Sequence, residues 1–364
     1  MKIKEVTQFL EKIAPLNYQE SYDNSGLLTG NPEEKVKGIL TTLDCTEEVI
    51  EEAIQKGLNL VVAHHPIIFS GLKKLIGKNY IERTIIKAIK NDIAIYAIHT
   101  NLDNIKRGVN FKIADKLGLS DVKVLAPKSE ILEKLVVFVP NTHVDEVMNT
   151  LFDAGAGHIG EYSECSYSLN GKGTFKAAEN TNPHVGEIGE RHYEDEVRIE
   201  VILPAHNRNK ILQNLLKVHP YEEVAYDLYP LKNLNPQVGS GIIGMLTEET
   251  NSLEFLKKIK HTFDSGCIKH THIHKPTLKK VALCGGAGYF LLNDALRENA
   301  DIFITADYKY HQFFDAENRI IIADIGHFES EQFTSELLLD ILTENFSTFA
   351  VRLSETKTNP VNYL

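Results

Sequence analysis

Four cysteines, Cys45, Cys165, Cys267 and Cys284, are all that 364 residues contain, and no two of them form a CxxC pair. Scattered so widely, they supply neither a zinc ribbon nor a disulfide framework, and the expected location is the cytoplasm. No stretch is long and apolar enough to span a bilayer. The start, MKIKEVTQFLEKIAP, lacks the apolar core of a secretion signal and reads as an amphipathic helix with Val6, Phe9, Leu10 and Ile13 on one side. Positive charge is also short, 39 Lys and Arg against 50 Asp and Glu, for a formal charge of −11. That balance speaks against duplex nucleic acid or an anionic membrane as partner.

What is present is an ordinary folded composition, 43% hydrophobic and 24% charged, in a chain long for one compact core. Six segments share one plan, a short apolar run followed by a polar or glycine-rich stretch and then a helical pattern: VKGILTTLD, LNLVVAHHP, IAIYAIHTNLD, LKKVALCGGAG, DIFITADYKYH and RIIIADIGHFE. Alternating with helices such as TEEVIEEAIQKG and YIERTIIKAIKN, they predict an α/β fold with strands buried on both faces. Ligand sites in such sheets gather beyond the carboxyl ends of the strands. That is where Asp44, His64, His65, His99, Asp103, Asp307, His311 and His327 fall.

The plan breaks in the middle of the chain. EKLVVFVP, HVDEVMNTLFDAG, SECSYSLN with GTFKAA, EVRIEVILP, NKILQNLLKVHP and EVAYDLYPL read as two β-α-β units in series, resembling the split βαβ arrangement. The expected organisation is a core α/β domain made of residues 1–128 and 233–364, with an inserted ferredoxin-like α+β domain at 129–232.

His64 and His65 stand side by side at a strand end. Neighbouring side chains on a strand face opposite ways, so both address one place only if the strand ends between them, as Pro66 favours. Otherwise one is a satisfied buried histidine and the other solvated. In IADIGHFESE, His327 and Glu331 are four apart where a helix starts and share a face; a helix-dipole role is the alternative for a glutamate there. AIHTNLDN adds His99 and Asp103, the latter otherwise a cap or turn residue. Together these make a mixed nitrogen and oxygen donor set suited to zinc, manganese or iron. Five ligands are too many for one open catalytic ion and suit two that share a carboxylate.

SYDNSGLLTG, AHHPIIFSG, IHTNLDN, VALCGGAG, ITADYKYH and GHFESE, in this order, resemble the signature segments of the GTP cyclohydrolase I type 2 homologue family, the Nif-three-like dinuclear metal proteins. NPHVGEIGE and HPYEEVAYDLYPL are similar to the extra domain of the longer bacterial members, related to PII and CutA proteins. The resemblance covers essentially the whole chain. It implies two divalent ions, one on His65, Asp103 and Glu331, the other on His64, His327 and the same Glu331, and a homohexameric ring. One departure is Ile242, at a place that many members give to arginine.

Three further signals carry less. KHTHIHK, with His270, His272 and His274 on one strand face, lacks a carboxylate and reads as a solvated edge strand. GSGIIG matches a dinucleotide pattern by letter only. CGGAGYF is either a phosphate-presenting turn or a tight, closely packed one.

The expected function is that of a metal-dependent hydrolase whose ions acidify a bridging water for attack on a small, nucleotide-like substrate. His99, Asp307 and His311 are candidates to carry protons or orient ligands. The alternative is a non-catalytic hexameric scaffold or regulatory protein whose insert senses a ligand or partner. A nucleic-acid adaptor is a third and weaker reading.

Overall fold

A computed structural model describes residues 1–364. It divides into two compact units, residues 1–126 with 237–364, and residues 127–236.

In the first unit, strands β1 (Gly26–Thr29), β2 (Ile39–Thr42), β3 (Leu60–Ala63), β4 (Ala94–Ala97) and β5 (Ser120–Lys128) precede the break. The second unit holds β6 (Leu132–Pro140), β7 (Ser166–Lys176), β8 (Arg191–Pro204) and β9 (Tyr226–Leu231). After it come β10 (Asn235–Asn251), β11 (Lys269–His270), β12 (Thr277–Ala287), β13 (Ile302–Ala306), β14 (Ile321–Asp324) and β15 (Val351–Leu353).

The first unit contains two sheets rather than one. Their orders are β1-β4-β3-β2-β15 and β11-β14-β13-β12-β10-β5. Within the first, β15, β2, β3 and β4 run parallel, and within the second β12, β13 and β14 do so. Every residue of β2, β3, β4, β13 and β14 is buried, which is why their sequences are apolar without alternation. The six apolar segments are these five strands and β12. Helices Glu47–Gln55 and Tyr80–Lys90 follow the predicted patterns and start on side-chain caps, Thr46 and Asn79. The terminal helix Ile3–Ile13 buries Val6 and Leu10.

Three strands were not foreseeable from apolar runs. β1 and β5 are only partly buried, and β15, three residues near the chain end, returns to pair with β2 in the first sheet. The histidine-rich KHTHIHK contributes only β11, an exposed two-residue strand at a sheet edge.

The second unit runs β-α-β-β-α-β with helices Val144–Asp153 and Arg208–Val218, and an antiparallel sheet ordered β7-β8-β6-β9. That is the ferredoxin-like topology. Its core is its own: Leu135, Val137, Val147, Leu151, Ile199, Val201, Ile211 and Leu215 pack together.

Candidate metal centre

β3 stops at Ala63, so both following histidines lie beyond the regular strand. Their backbone amides still donate to Thr42 and Leu43, at 3.1 and 2.9 Å, and Pro66, without an N–H, ends the ladder. Released from strict alternation, the two imidazoles sit with centroids 5.0 Å apart. β4 ends one residue before Ile98, and His99 begins the single helical turn Thr100–Asp103. β14 leads through Gly326, at φ +96°, into the short helix His327–Glu331. Three parallel-strand ends thus deliver His64, His65, His99, Asp103, His327 and Glu331 to one place.

The imidazoles share one design. His64 Nδ1 donates to the Ile98 carbonyl at 2.8 Å, and His65, His99 and His327 place Nδ1 at 2.7, 2.8 and 2.7 Å from carboxylates of Asp44, Asp23 and Asp307. A carbonyl only accepts, so the Nδ1 of His64 carries the proton and its Nε2 presents a lone pair. Nε2 of His65 and His327 lie 2.9 and 3.1 Å from Glu331 Oε2, while His64 Nε2 lies 4.0 Å from Glu331 Oε1 and 3.6 Å from Asp103 Oδ1. The two oxygens of Glu331 therefore serve two different sets of partners.

Ligand-type atoms fall within 4.8 Å of one another in three groups: His64 with Asp103 and Glu331, His65 with His327 and Glu331, and His64 with His65 and His99. This grouping differs from the one the family resemblance implied, which set His65 with Asp103 and His64 with His327. The reason is local: His64 is buried beside the turn that carries Asp103, whereas His65 faces across to the helix of His327.

Buried polar atoms are normally paired, yet His64 Nε2 and Asp103 Oδ1 have no hydrogen-bond partner. An orphaned nitrogen lone pair beside an orphaned carboxylate oxygen fits a divalent cation, and so does the whole donor set. The electrostatics agree. Burial drives the His64 pKa down to about 3, keeping it neutral. Burial and the nearby Glu331 charge push Asp103 well above the carboxylate range, outweighing the opposing charges of His65 and His327. At His65 and His327 burial opposes protonation, but Asp44 with Glu331, and Asp307 with Glu331, outweigh it and raise them to about 9 and about 11.

The alternatives left by the sequence resolve from these contacts. Asp103 caps no helix; it ends one. Glu331 closes its helix, where a carboxylate gains nothing from the dipole, and Glu329 occupies the first turn. The CGGAG turn is a packing device. Gly285, Gly286 and Gly288 donate their amides to Asn110 Oδ1, Ser330 Oγ and Thr305 Oγ1, so the three glycine amides are spent within the protein, and a Cβ on Gly286 would run into the Glu331 carboxylate. Ile242 is buried in β10 opposite Leu283 and supplies no charge.

His99 and Asp307 join the cluster. His311 does not: it is exposed on the 3-10 helix Tyr310–Ala316, against the rings of Tyr310 and Phe314. Asp23 is not among the residues the sequence points to, and Asp44 is placed at a strand end there without a role. Asp23 lay in the quoted SYDNSG motif and Asp44 at the end of β2's segment, but an aspartate in a loop gives no sign of which distant histidine it holds.

His65 and His327 line two cavities, of about 390 Å³ and about 550 Å³, one reaching Asp103 and Glu331 and the other bounded by chain-end residues 359–361 and 363. No helix is long and apolar enough to cross a membrane.

Residues 1–360 match the family model described as Duf34/NIF3 (NGG1p interacting factor 3). Two proteins called GTP cyclohydrolase 1 type 2 homolog are similar over nearly their whole lengths. That of Halalkalibacterium halodurans is 42% identical, covering 99% of this chain and 98% of its own, and that of Bacillus subtilis 38%, covering 99% and 98%. A crystal structure of a Bacillus cereus protein related to NIF3 superposes with TM-score 0.86 at 39% identity, covering 100% of this chain and 99% of that one. With both its length and its histidine and carboxylate cluster accounted for, the chain belongs to the Duf34/NIF3 family of GTP cyclohydrolase I type 2 homologues.

Proposed function

We propose that the protein is a dinuclear divalent-metal-dependent hydrolase acting on a small, nucleotide-like molecule. The observation that carries this reading is Glu331, which offers one carboxylate oxygen toward His64 and Asp103 and the other to His65 and His327. His64, Asp103 and Glu331 would hold one ion, and His65, His327 and Glu331 the other. Zinc, iron and manganese all accept such donors. When bound, such a pair supplies Lewis acidity and a nucleophile at neutral pH.

The chain's own residues do the rest. Asp44, Asp23 and Asp307 fix the ring orientations of His65, His99 and His327. His99, within reach of His64 and His65 but outside the two Glu331 groups, is placed to move a proton between its Nε2 and a substrate in the cavity it lines. Small-molecule access, a cytoplasmic location and a homohexameric assembly complete the proposal. The names of the relatives point to GTP as one substrate to try.

The test is metal content per chain, measured without chelator or affinity metal, for wild type beside Glu331→Gln, followed by turnover with the metal found. Near two ions falling sharply in the variant, with hydrolysis lost in parallel, is expected. Wild type without metal after reconstitution with zinc, manganese and iron overturns the reading.

A second reading, a non-catalytic metal-binding scaffold or regulator, is favoured by one feature, the ferredoxin-like topology of residues 127–236, which supports their assignment as an inserted PII/CutA-like sensing domain in the core domain. Full metal loading with no turnover of any nucleotide or phosphoester tested would decide for it.

A further inference from the structure

The cavity over the cluster carries the chemistry of its occupant. Tyr22, Phe69 and Phe290 line it and keep 60%, 50% and 58% of their surfaces exposed. Tyr22 and Phe69 stand with ring centroids 6.2 Å apart, and Phe69 continues to His99 at 6.3 Å, so the aromatic surface runs from the mouth to the cluster. Isolated exposed rings are common. Three of them around one 390 Å³ cavity that ends on a donor cluster form a surface on which a flat ring can stack.

Apart from any ions held at the cluster itself, the walls of this cavity bring no cationic side chain to a phosphate chain. The protein has 39 Lys and Arg, and none lines it; its charged residues apart from histidine are Glu20, Asp103 and Glu331. Phosphate recognition draws on Arg, Lys or free backbone amides, and the three glycine amides of the adjacent turn are taken by Asn110, Ser330 and Thr305. Lys269 lines the other cavity and is paired with Asp324 at 2.6 Å.

We propose that this cavity binds an uncharged planar heterocycle, a nucleobase or nucleoside, stacked on Tyr22, Phe69 and Phe290, and not a nucleoside triphosphate. The inference rests on the metal-site reading above and sharpens its substrate class.

The experiment is calorimetric titration of the zinc-loaded protein with guanosine, cytidine and GTP, for wild type, Phe69→Ala and Phe290→Ala, with metal content measured for each. Guanosine is expected to bind at least as tightly as GTP. Each alanine variant should weaken it about tenfold while retaining its metal. GTP bound tenfold tighter than guanosine overturns the proposal, as does guanosine binding unchanged in both variants or no binding of either nucleoside. Turnover separates the two readings. A nucleoside bound by stacking but never hydrolysed removes the hydrolase and leaves the heterocycle site standing, whereas hydrolysis of GTP with phosphate-dependent affinity does the reverse.

Discussion

The Thr358 hydroxyl donates to Asp44 Oδ2 at 2.7 Å, and the other oxygen of that carboxylate holds His65 Nδ1 at the same distance. The end of the chain is thereby wired to a candidate ligand. Removing a group that orients a metal-binding histidine commonly lowers metal affinity 10- to 100-fold. Asp44→Ala is expected in that range and Thr358→Val at a smaller loss, both read by competition with a chromophoric chelator. Wild-type affinity in both variants would disconnect the tail from the site.

Gly286 sits at φ +63° against the Glu331 carboxylate. Gly286→Ala adds left-handed strain, about 1–2 kcal/mol, and displaces the residue on which both ligand groups converge. Lower melting temperature together with reduced metal content is the expected pair of results. A variant that melts lower yet binds two ions would show that Glu331 adapts.

The Glu52 carboxylate takes the hydroxyls of Ser354 and Thr356 and the backbone amides of Glu355 and Thr356, at 2.6 to 3.1 Å, as well as the Lys56 ammonium. Burial works against its charge, but these donors lower its pKa to about 2. A depressed folded-state pKa means that stability is present above the ordinary glutamate value near 4.3 and is lost as pH falls toward 2. Protease cleavage of the tail should therefore accelerate across that interval in wild type, measured with an acid-active protease. In Glu52→Gln it should already be fast at pH 5. Equal rates for the two proteins at pH 5 would count against the tether.

Asp301, nearly buried at the start of β13, accepts from the amides of Lys279 and Lys280 at 2.7 and 2.8 Å and from the Lys275 ammonium. Burial raises its pKa, and these donors overcome that and lower it. Asp301→Asn is expected to cost about 1–3 kcal/mol at neutral pH. By the same sign, the gap between wild type and variant in urea melts should shrink as pH falls below about 3.9. A gap independent of pH would mean that the carboxylate charge contributes nothing.

How far the sequence carried depended on whether a feature was local. The buried strands announce themselves as unbroken apolar runs, because no face of β2, β3, β4, β13 or β14 meets solvent. Pro66 after His64 and His65, and the four-residue interval from His327 to Glu331, are likewise readable without coordinates. β15 is not, because three residues gain strand character only by pairing with β2, more than 300 positions away. The same distance effect hides Asp23, whose partner His99 is 76 positions on. His311 follows β13 as the other candidates follow their strands, but it lies on a 3-10 helix and is exposed, outside the cluster.

The anchored imidazoles also govern how the protein meets its ions in time. Each ring is fixed at Nδ1 by protein, so the donors hold their places before any ion arrives, and loading orders almost nothing. In a zinc finger the fold is made by the ion; here the chain's own anchors set the rings, and removal of metal with a chelator is expected to leave the circular dichroism spectrum unchanged.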